Sequence, residues 1–141
     1  MKRIRIYTDG SCITHTGVGG WATVSLQQTM CGCKDHTTNN EMELLAIYYA
    51  IVQSKGYDEV HIYTDSEYAY MTFTNWAYDW ESRGWMKRSK GQIRNLELIQ
   101  TIFKMVKGKP HIKFHKVKAH EGEPLNERAD KLAKKMAYQE Y

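Results

Sequence analysis

Cysteine is scarce in this chain of 141 residues, with only Cys12, Cys31 and Cys33 present. Three is too few, and an odd number, for the disulfide framework that staples small secreted domains. Cys31-Gly32-Cys33, with His36 nearby, resembles half of a zinc site. No second ligand pair of suitable spacing follows, however, and in a strand positions i and i+2 simply share a face. No apolar run reaches the roughly 18 residues of a membrane-spanning helix, and Met1-Lys2-Arg3-Ile4-Arg5 opens into a strand pattern instead of a secretory h-region. The expectation is a soluble, cytoplasmic protein with no membrane partner. Internal repeats beyond one four-residue echo, low-complexity tracts and long linkers are also missing. Residues 1–141 are therefore expected to form a single domain, long enough for a proper core.

Acidic residues are missing from one stretch. Between Met86 and Lys118 ten basic residues, among them Lys87, Arg88 and Lys90, stand against the single acid Glu97. The whole chain divides the same way. Residues 1–70 carry 5 Lys/Arg against 8 Asp/Glu, a balance of −3, and residues 71–141 carry 15 against 8, a balance of +7. A basic stretch can be no more than a solvated face. The tryptophans just before it favour nucleic acid, because stacking rings and cationic side chains together suit bases and phosphates.

The echo is Ile-Tyr-Thr-Asp, written at Ile6–Asp9 and again at Ile62–Asp65. Each copy closes an alternating β-branched run and is followed by turn formers, so each reads as a strand ending at its aspartate. A helical pattern lies between the copies, which favours a parallel crossover with both strands' carboxyl ends on one sheet edge. Two carboxylates there repel unless a cation sits between them, so the pattern points to a divalent-metal site.

Strands are expected at about Lys2–Asp9, Trp21–Leu26, Met30–His36, Val60–Asp65 and His111–Val117. A loop containing Gly10, Gly17, Gly19 and Gly20 joins the first two. Helices are expected at about Asn40–Lys55, capped by Thr37-Thr38-Asn39-Asn40, at Ser66–Tyr78, at Asn95–Lys107 before Gly108 and Pro110, and from Pro124 to Tyr138. Trp80–Trp85 begins an irregular basic loop reaching about Lys90. The element order implies an α/β fold, a five-stranded mixed sheet flanked by helices.

Two further acids stand out. Glu43 lies on the inward stripe of its helix with Ile47 and Ala50, where an acid is costly unless paired or metal-bound. Position 41 can complement the helix dipole from a polar flank, and so can any first-turn glutamate, which is the ordinary alternative for Glu43. Asp130 lies beside the apolar stripe of the last helix, and Lys134 at i+4 offers it an ordinary surface pair. His120, in a glycine-containing loop, is either a proton shuttle or a solvent-exposed histidine.

Tyr7-Thr8-Asp9-Gly10-Ser11-Cys12, Thr37-Thr38-Asn39-Asn40-Glu41-Met42-Glu43-Leu44, Thr64-Asp65-Ser66 and Val117-Lys118-Ala119-His120…Asn126-Glu127-Arg128-Ala129-Asp130 occur in this order. Together they resemble ribonuclease H type 1, a likeness that covers essentially the whole chain. Trp76…Trp80-Glu81-Ser82-Arg83-Gly84-Trp85 and the basic residues after it resemble the basic handle of the bacterial enzymes, at about residues 80–94.

The resemblance implies a ribonuclease H-like fold and an endonuclease that cuts the RNA strand of RNA–DNA hybrids, acting as a monomer. It makes Asp9, Glu43, Asp65 and Asp130 the ligands of two Mg²⁺ ions, with Mn²⁺ able to substitute, as suits all-oxygen sites. Asp9 would bridge both ions, Asp130 would serve the water side, and Glu43 with Asp65 the leaving-group side. Such a pair, about 3.5–4 Å apart, activates water and stabilises the leaving 3′-oxygen, giving 5′-phosphate and 3′-hydroxyl ends. His120 would assist proton transfer or product departure. Substrate contacts fall to Gly10, Ser11, Cys12, Thr38, Asn39 and Asn40, and on the DNA strand to Trp76, Trp80, Trp85, Lys87, Arg88 and Lys90. For the tryptophans, core packing is the plain alternative.

The chain departs from the bacterial pattern at Thr14-His15-Thr16-Gly17, where an Asn-Pro-Gly turn is common. His36 replaces a common arginine and Glu67 a common glutamine. Other readings are a ribonuclease H domain of a reverse transcriptase, a transposase core of the same fold, and a hybrid-binding module without catalysis.

Overall fold

Ile4 and Ile6 are buried while Arg3 and Arg5 face solvent, and this two-residue period opens strand β1 (Arg3–Ile13). The computed structural model describes residues 1–87, 91–118 and 122–139. β1 is the middle strand of a five-stranded sheet with β2 (Val18–Val24), β3 (Thr29–Lys34), β4 (Glu59–Thr64) and β5 (Ile112–Lys116), in the order β3-β2-β1-β4-β5. The β1–β2 and β2–β3 pairs are antiparallel and the β1–β4 and β4–β5 pairs parallel, so the sheet is mixed, as the element order implies.

β1 does not end at Asp9. Its parallel partner β4 stops at Thr64, but β2 stays paired with β1 as far as Ile13 opposite Val18. Gly10, Gly19 and Gly20 are therefore strand residues, and the expected loop shrinks to a turn in which Gly17 takes a φ of 75°. β2 in turn stops short of Leu26, because the Ser25 hydroxyl accepts hydrogen bonds from the Gln27 and Gln28 amides and turns the chain into β3.

Helix α1 (Asn39–Gln53) starts where Thr38 caps it, its hydroxyl accepting from the Glu41 amide at 3.1 Å. After β4, Ser66 caps α2 (Glu67–Met71), which runs without a break through a π-helical segment, Thr72–Trp76, into α3 (Ala77–Ser82). Thr72 and Thr74 each donate a side-chain hydrogen bond to the carbonyl four residues back, which competes with the α-helical ladder where the helix widens. The helical path thus passes Tyr78 and reaches Ser82, so Trp80 belongs to a helix and not to the basic loop. Helix α4 is Leu96–Val106, and α5 (Pro124–Ala137) has Pro124 in its first turn, as expected.

Ile4, Ile6, Val60 and Ile62 on one sheet face pack against Leu44, Ile47, Ala50 and Ile51 of α1 and Ile99, Ile102 and Phe103 of α4. On the other face α5 lies over β1, β2 and β3. Tyr7 and Val24 meet Ala129 there. Gly20 makes the close approach possible, since a Cβ at that position would collide with the α5 backbone at Ala133 and Ala137. The result is a helix–sheet–helix stack whose parallel centre ends on the edge where the two aspartates lie.

Candidate active site

Register places the first two acids. β1 and β4 pair in step from Arg3–Glu59 to Thr8–Thr64, so the next residue on each strand is an aspartate, Asp9 and Asp65. Gly10 then brings in the third. A Cβ there would overlap the backbone of Met42 and Glu43, so only glycine allows the first turn of α1 to rest on β1. Ligand oxygens of Asp9, Glu43 and Asp65 all lie within 4.8 Å of one another, the one set of three or more metal-suited side chains this close among the described residues. The Cys31-Gly32-Cys33 pair forms none, and no disulfide joins the cysteines.

Glu41 and Glu43 divide the work as their stripes predict. Glu41 pairs with Lys34 at 2.6 Å and accepts from the Thr37 hydroxyl, tying down the start of α1. Glu43 is 4% exposed, and its Oε2 is buried without a hydrogen-bond partner. Burial raises its affinity for a proton well above the usual carboxylate range, and the charges of Asp9 and Asp65 add to this. Asp9, also 4% exposed, is pushed up to about 8 by burial first, then by Asp65, and by a side-chain hydrogen bond to Asp130. Its Oδ1 accepts from the Gly10 amide at 3.0 Å.

Asp130 makes two contacts, of which its position on α5 suggested only the surface pair. It reaches Asp9 from the opposite layer, and its Oδ2 takes a surface pair with Lys134 at 3.2 Å. It lies outside the mutual 4.8 Å set and joins it at the rim through Asp9. The cluster fits a hard divalent cation. Its donors are all carboxylate oxygens, one is an orphan inside the protein, and two of the acids favour protons unless a cation offsets their mutual repulsion.

Gly10, Ser11 and Cys12 continue β1 away from Asp9, and the Cys12 thiol donates to the Thr37 carbonyl at 3.4 Å. That contact ties the strand end to the start of α1, where Thr38, Asn39 and Asn40 are exposed. The tryptophans lie elsewhere along the chain. Trp76 and Trp80 are half-buried with ring centres 6.1 Å apart. Trp80 and Trp85 both pack on the main core, the rings of Trp85 and Phe103 meeting edge to face. Core packing is therefore part of their role. Lys87 is exposed, whereas Arg88, Lys90 and His120 lie outside the described residues.

A family model described as RNase H matches residues 1–138. The ribonuclease H of Rhizobium johnstonii is 40% identical to this chain over 139 residues, covering 96% of the chain and 91% of that protein. The crystal structure of LC9-RNase H1, described as a type 1 RNase H with the type 2 active-site motif, has 29% identity and a TM-score of 0.82. That match covers 100% of this chain and 74% of the LC9 chain. The foamy viral protease-reverse transcriptase, solved in complex with dsDNA, has a TM-score of 0.86 over 98% of this chain and 96% of its own. At 22% identity this is a likeness of fold alone.

Proposed function

The chain belongs to the RNase H family, and on that premise we propose an endonuclease that hydrolyses the RNA strand of RNA–DNA hybrids with two divalent cations, leaving 5′-phosphate and 3′-hydroxyl ends. The observation that carries this reading is the mutual approach of Asp9, Glu43 and Asp65 within 4.8 Å, with Asp130 attached through Asp9. These four residues would hold Mg²⁺ or Mn²⁺. When bound, such a pair activates the attacking water and stabilises the leaving 3′-oxygen.

The chain's own residues do the positioning. Asp9 is held by the Gly10 amide, and Glu43 is set by its place in the first turns of α1, so both carboxylates stand in position before substrate arrives. Glu43 also stands beside the exposed start of α1, where a ribose 2′-hydroxyl can be sensed and RNA told from DNA. The amides and short side chains of Thr38, Asn39 and Asn40, with Gly10, Ser11 and Cys12 next to them, suit a sugar–phosphate backbone. Trp76, Trp80, Trp85 and the basic residues Lys87, Arg88 and Lys90 grip the DNA strand, and His120 assists proton transfer or product release. Residues 1–141 act as one domain, with the handle at about 80–94.

The test is cleavage of a labelled hybrid, a DNA duplex and an RNA duplex in Mg²⁺. Cutting confined to the RNA strand of the hybrid, and abolished by EDTA, is the expected result. Activity that survives EDTA, or equal cutting of the RNA duplex, would overturn the proposal.

A further inference from the structure

A second cluster of metal-binding side chains lies on the sheet away from the carboxylates. His61 on β4 and His115 on β5 project from the face opposite α1, since Val60, Ile62 and Phe114 beside them pack with the main core. Helix α5 covers β1, β2 and β3 on that face, and both imidazoles on the β4–β5 portion are half-buried, His61 with 14% of its side chain exposed. His61 Nδ1 lies 2.7 Å from His115 Nε2, and His61 Nε2 lies 2.7 Å from Glu59 Oε1.

This chain of contacts fixes the protons. An ionised Glu59 can only accept, so His61 Nε2 donates to it. In neutral His61 the Nδ1 is then a lone-pair acceptor, and His115 Nε2 donates the shared proton. A carboxylate behind an imidazole whose other nitrogen is unprotonated is the usual support of a metal-ligating histidine. The rings are also held in place, His115 stacking on Tyr63 at 4.7 Å and Tyr63 on Tyr7 at 4.4 Å.

We propose that His61 and His115 form a binding site for one borderline transition-metal ion, with Zn²⁺ as its probe, and that Glu59 orients His61 from behind. Two imidazoles select Zn²⁺, Ni²⁺ or Cu²⁺ over the hard cations suited to the carboxylate cluster. With Zn–N bonds of about 2.0–2.1 Å in tetrahedral geometry, the two nitrogens must part to roughly 3.3 Å, a small hinge from their present separation. Water completes the coordination.

The charged and titratable neighbours are Arg3, which pairs with Glu59 at 2.9 Å, and Arg5, Lys113 and Tyr63. Burial, His61, Lys113 and Arg5 all lower the His115 pKa, which keeps the ring neutral and able to ligate near neutral pH. The same cations oppose a divalent ion, so micromolar affinity is expected, not tighter. Because the ion would tie β4 to the edge strand β5, binding should also raise thermal stability.

The test is Zn²⁺ titration by calorimetry on the full chain, with excess Mg²⁺ over the carboxylates and with Cys31→Ser and Cys33→Ser removing the exposed thiols. One micromolar Zn²⁺ site is expected. It should be lost in His61→Gln and in His115→Gln and weakened about 10–100-fold in Glu59→Gln. Imidazole ¹⁵N shifts of the chain with both histidines intact give a readout that does not depend on the variants folding, since Zn²⁺ should move His61 Nδ1 and His115 Nε2. An isotherm unchanged by both histidine substitutions, or ring shifts unmoved by Zn²⁺, would overturn the proposal.

Discussion

Replacing Asp9 by asparagine should stabilise the metal-free protein, and the size of the gain should depend on pH in a set direction. Asp9 carries a folded-state pKa of about 8 against an ordinary 3.8, with burial, Asp65 and Asp130 as the causes. A carboxyl group whose folded pKa is raised binds its proton more tightly folded than unfolded. Stability is then lost as pH rises from about 4 toward 8. At about pH 7.5 the native state carries a cost of up to roughly 5 kcal/mol for holding Asp9, and at about pH 4.5 only about 1 kcal/mol. Asparagine mimics the protonated carboxyl and removes the cost. Relaxation of the cluster will reduce the ceiling, so the expected gain is at least about 2 kcal/mol at about pH 7.5 and less than about 1 kcal/mol at about pH 4.5. Urea unfolding in EDTA, followed by circular dichroism at both pH values, measures it. Mg²⁺ should stabilise the unsubstituted chain more than Asp9→Asn, because the ion relieves the same repulsion. A gain that does not change with pH, or an Asp9→Asn variant less stable at the higher pH, would refute the reasoning. The same substitution should abolish cleavage in Mg²⁺.

Gly10→Ala forces a Cβ into the Met42–Glu43 backbone, which cannot yield as a flexible side chain would. It should cost at least about 1–3 kcal/mol in urea unfolding and displace Glu43, so that activity falls further than stability alone explains. His120→Ala should slow single-turnover cleavage without abolishing it, since in the proposed mechanism the cations carry most of the transition-state charge. A loss as complete as that of Asp9→Asn would make His120 essential. Neutralising Lys87, Arg88 and Lys90 together should raise KM and leave kcat nearly unchanged. The slope of log K against log salt should fall by roughly 0.7–0.9 per lost phosphate contact, as read by filter binding across a salt series. Unchanged KM and slope would return this stretch to solvated surface.

The sequence by itself determined the features that depend on local period and local chemistry. Ile4, Ile6, Val60 and Ile62 alternate strongly enough to mark two strands, and their shared ending placed Asp9 and Asp65 together before any packing was known. Thr38 as a cap, Pro124 in a first turn, and the contrast between Glu41 on a polar flank and Glu43 on an inward stripe are likewise read within one helical turn. What depends on a partner strand or a facing layer was decided only by the tertiary structure. β1 runs on to Ile13 because β2 pairs with it there, and no residue of β1 announces that. The close approaches at Gly10 and Gly20 come from helices that cross those positions from other parts of the chain. Trp80 and Trp85 pack on the core because α4 lies beside them. Asp130 meets Asp9, and His61 meets His115, only once the sheet order and the packing of α5 are set. Contacts between residues more than fifty positions apart leave no period in the sequence to read.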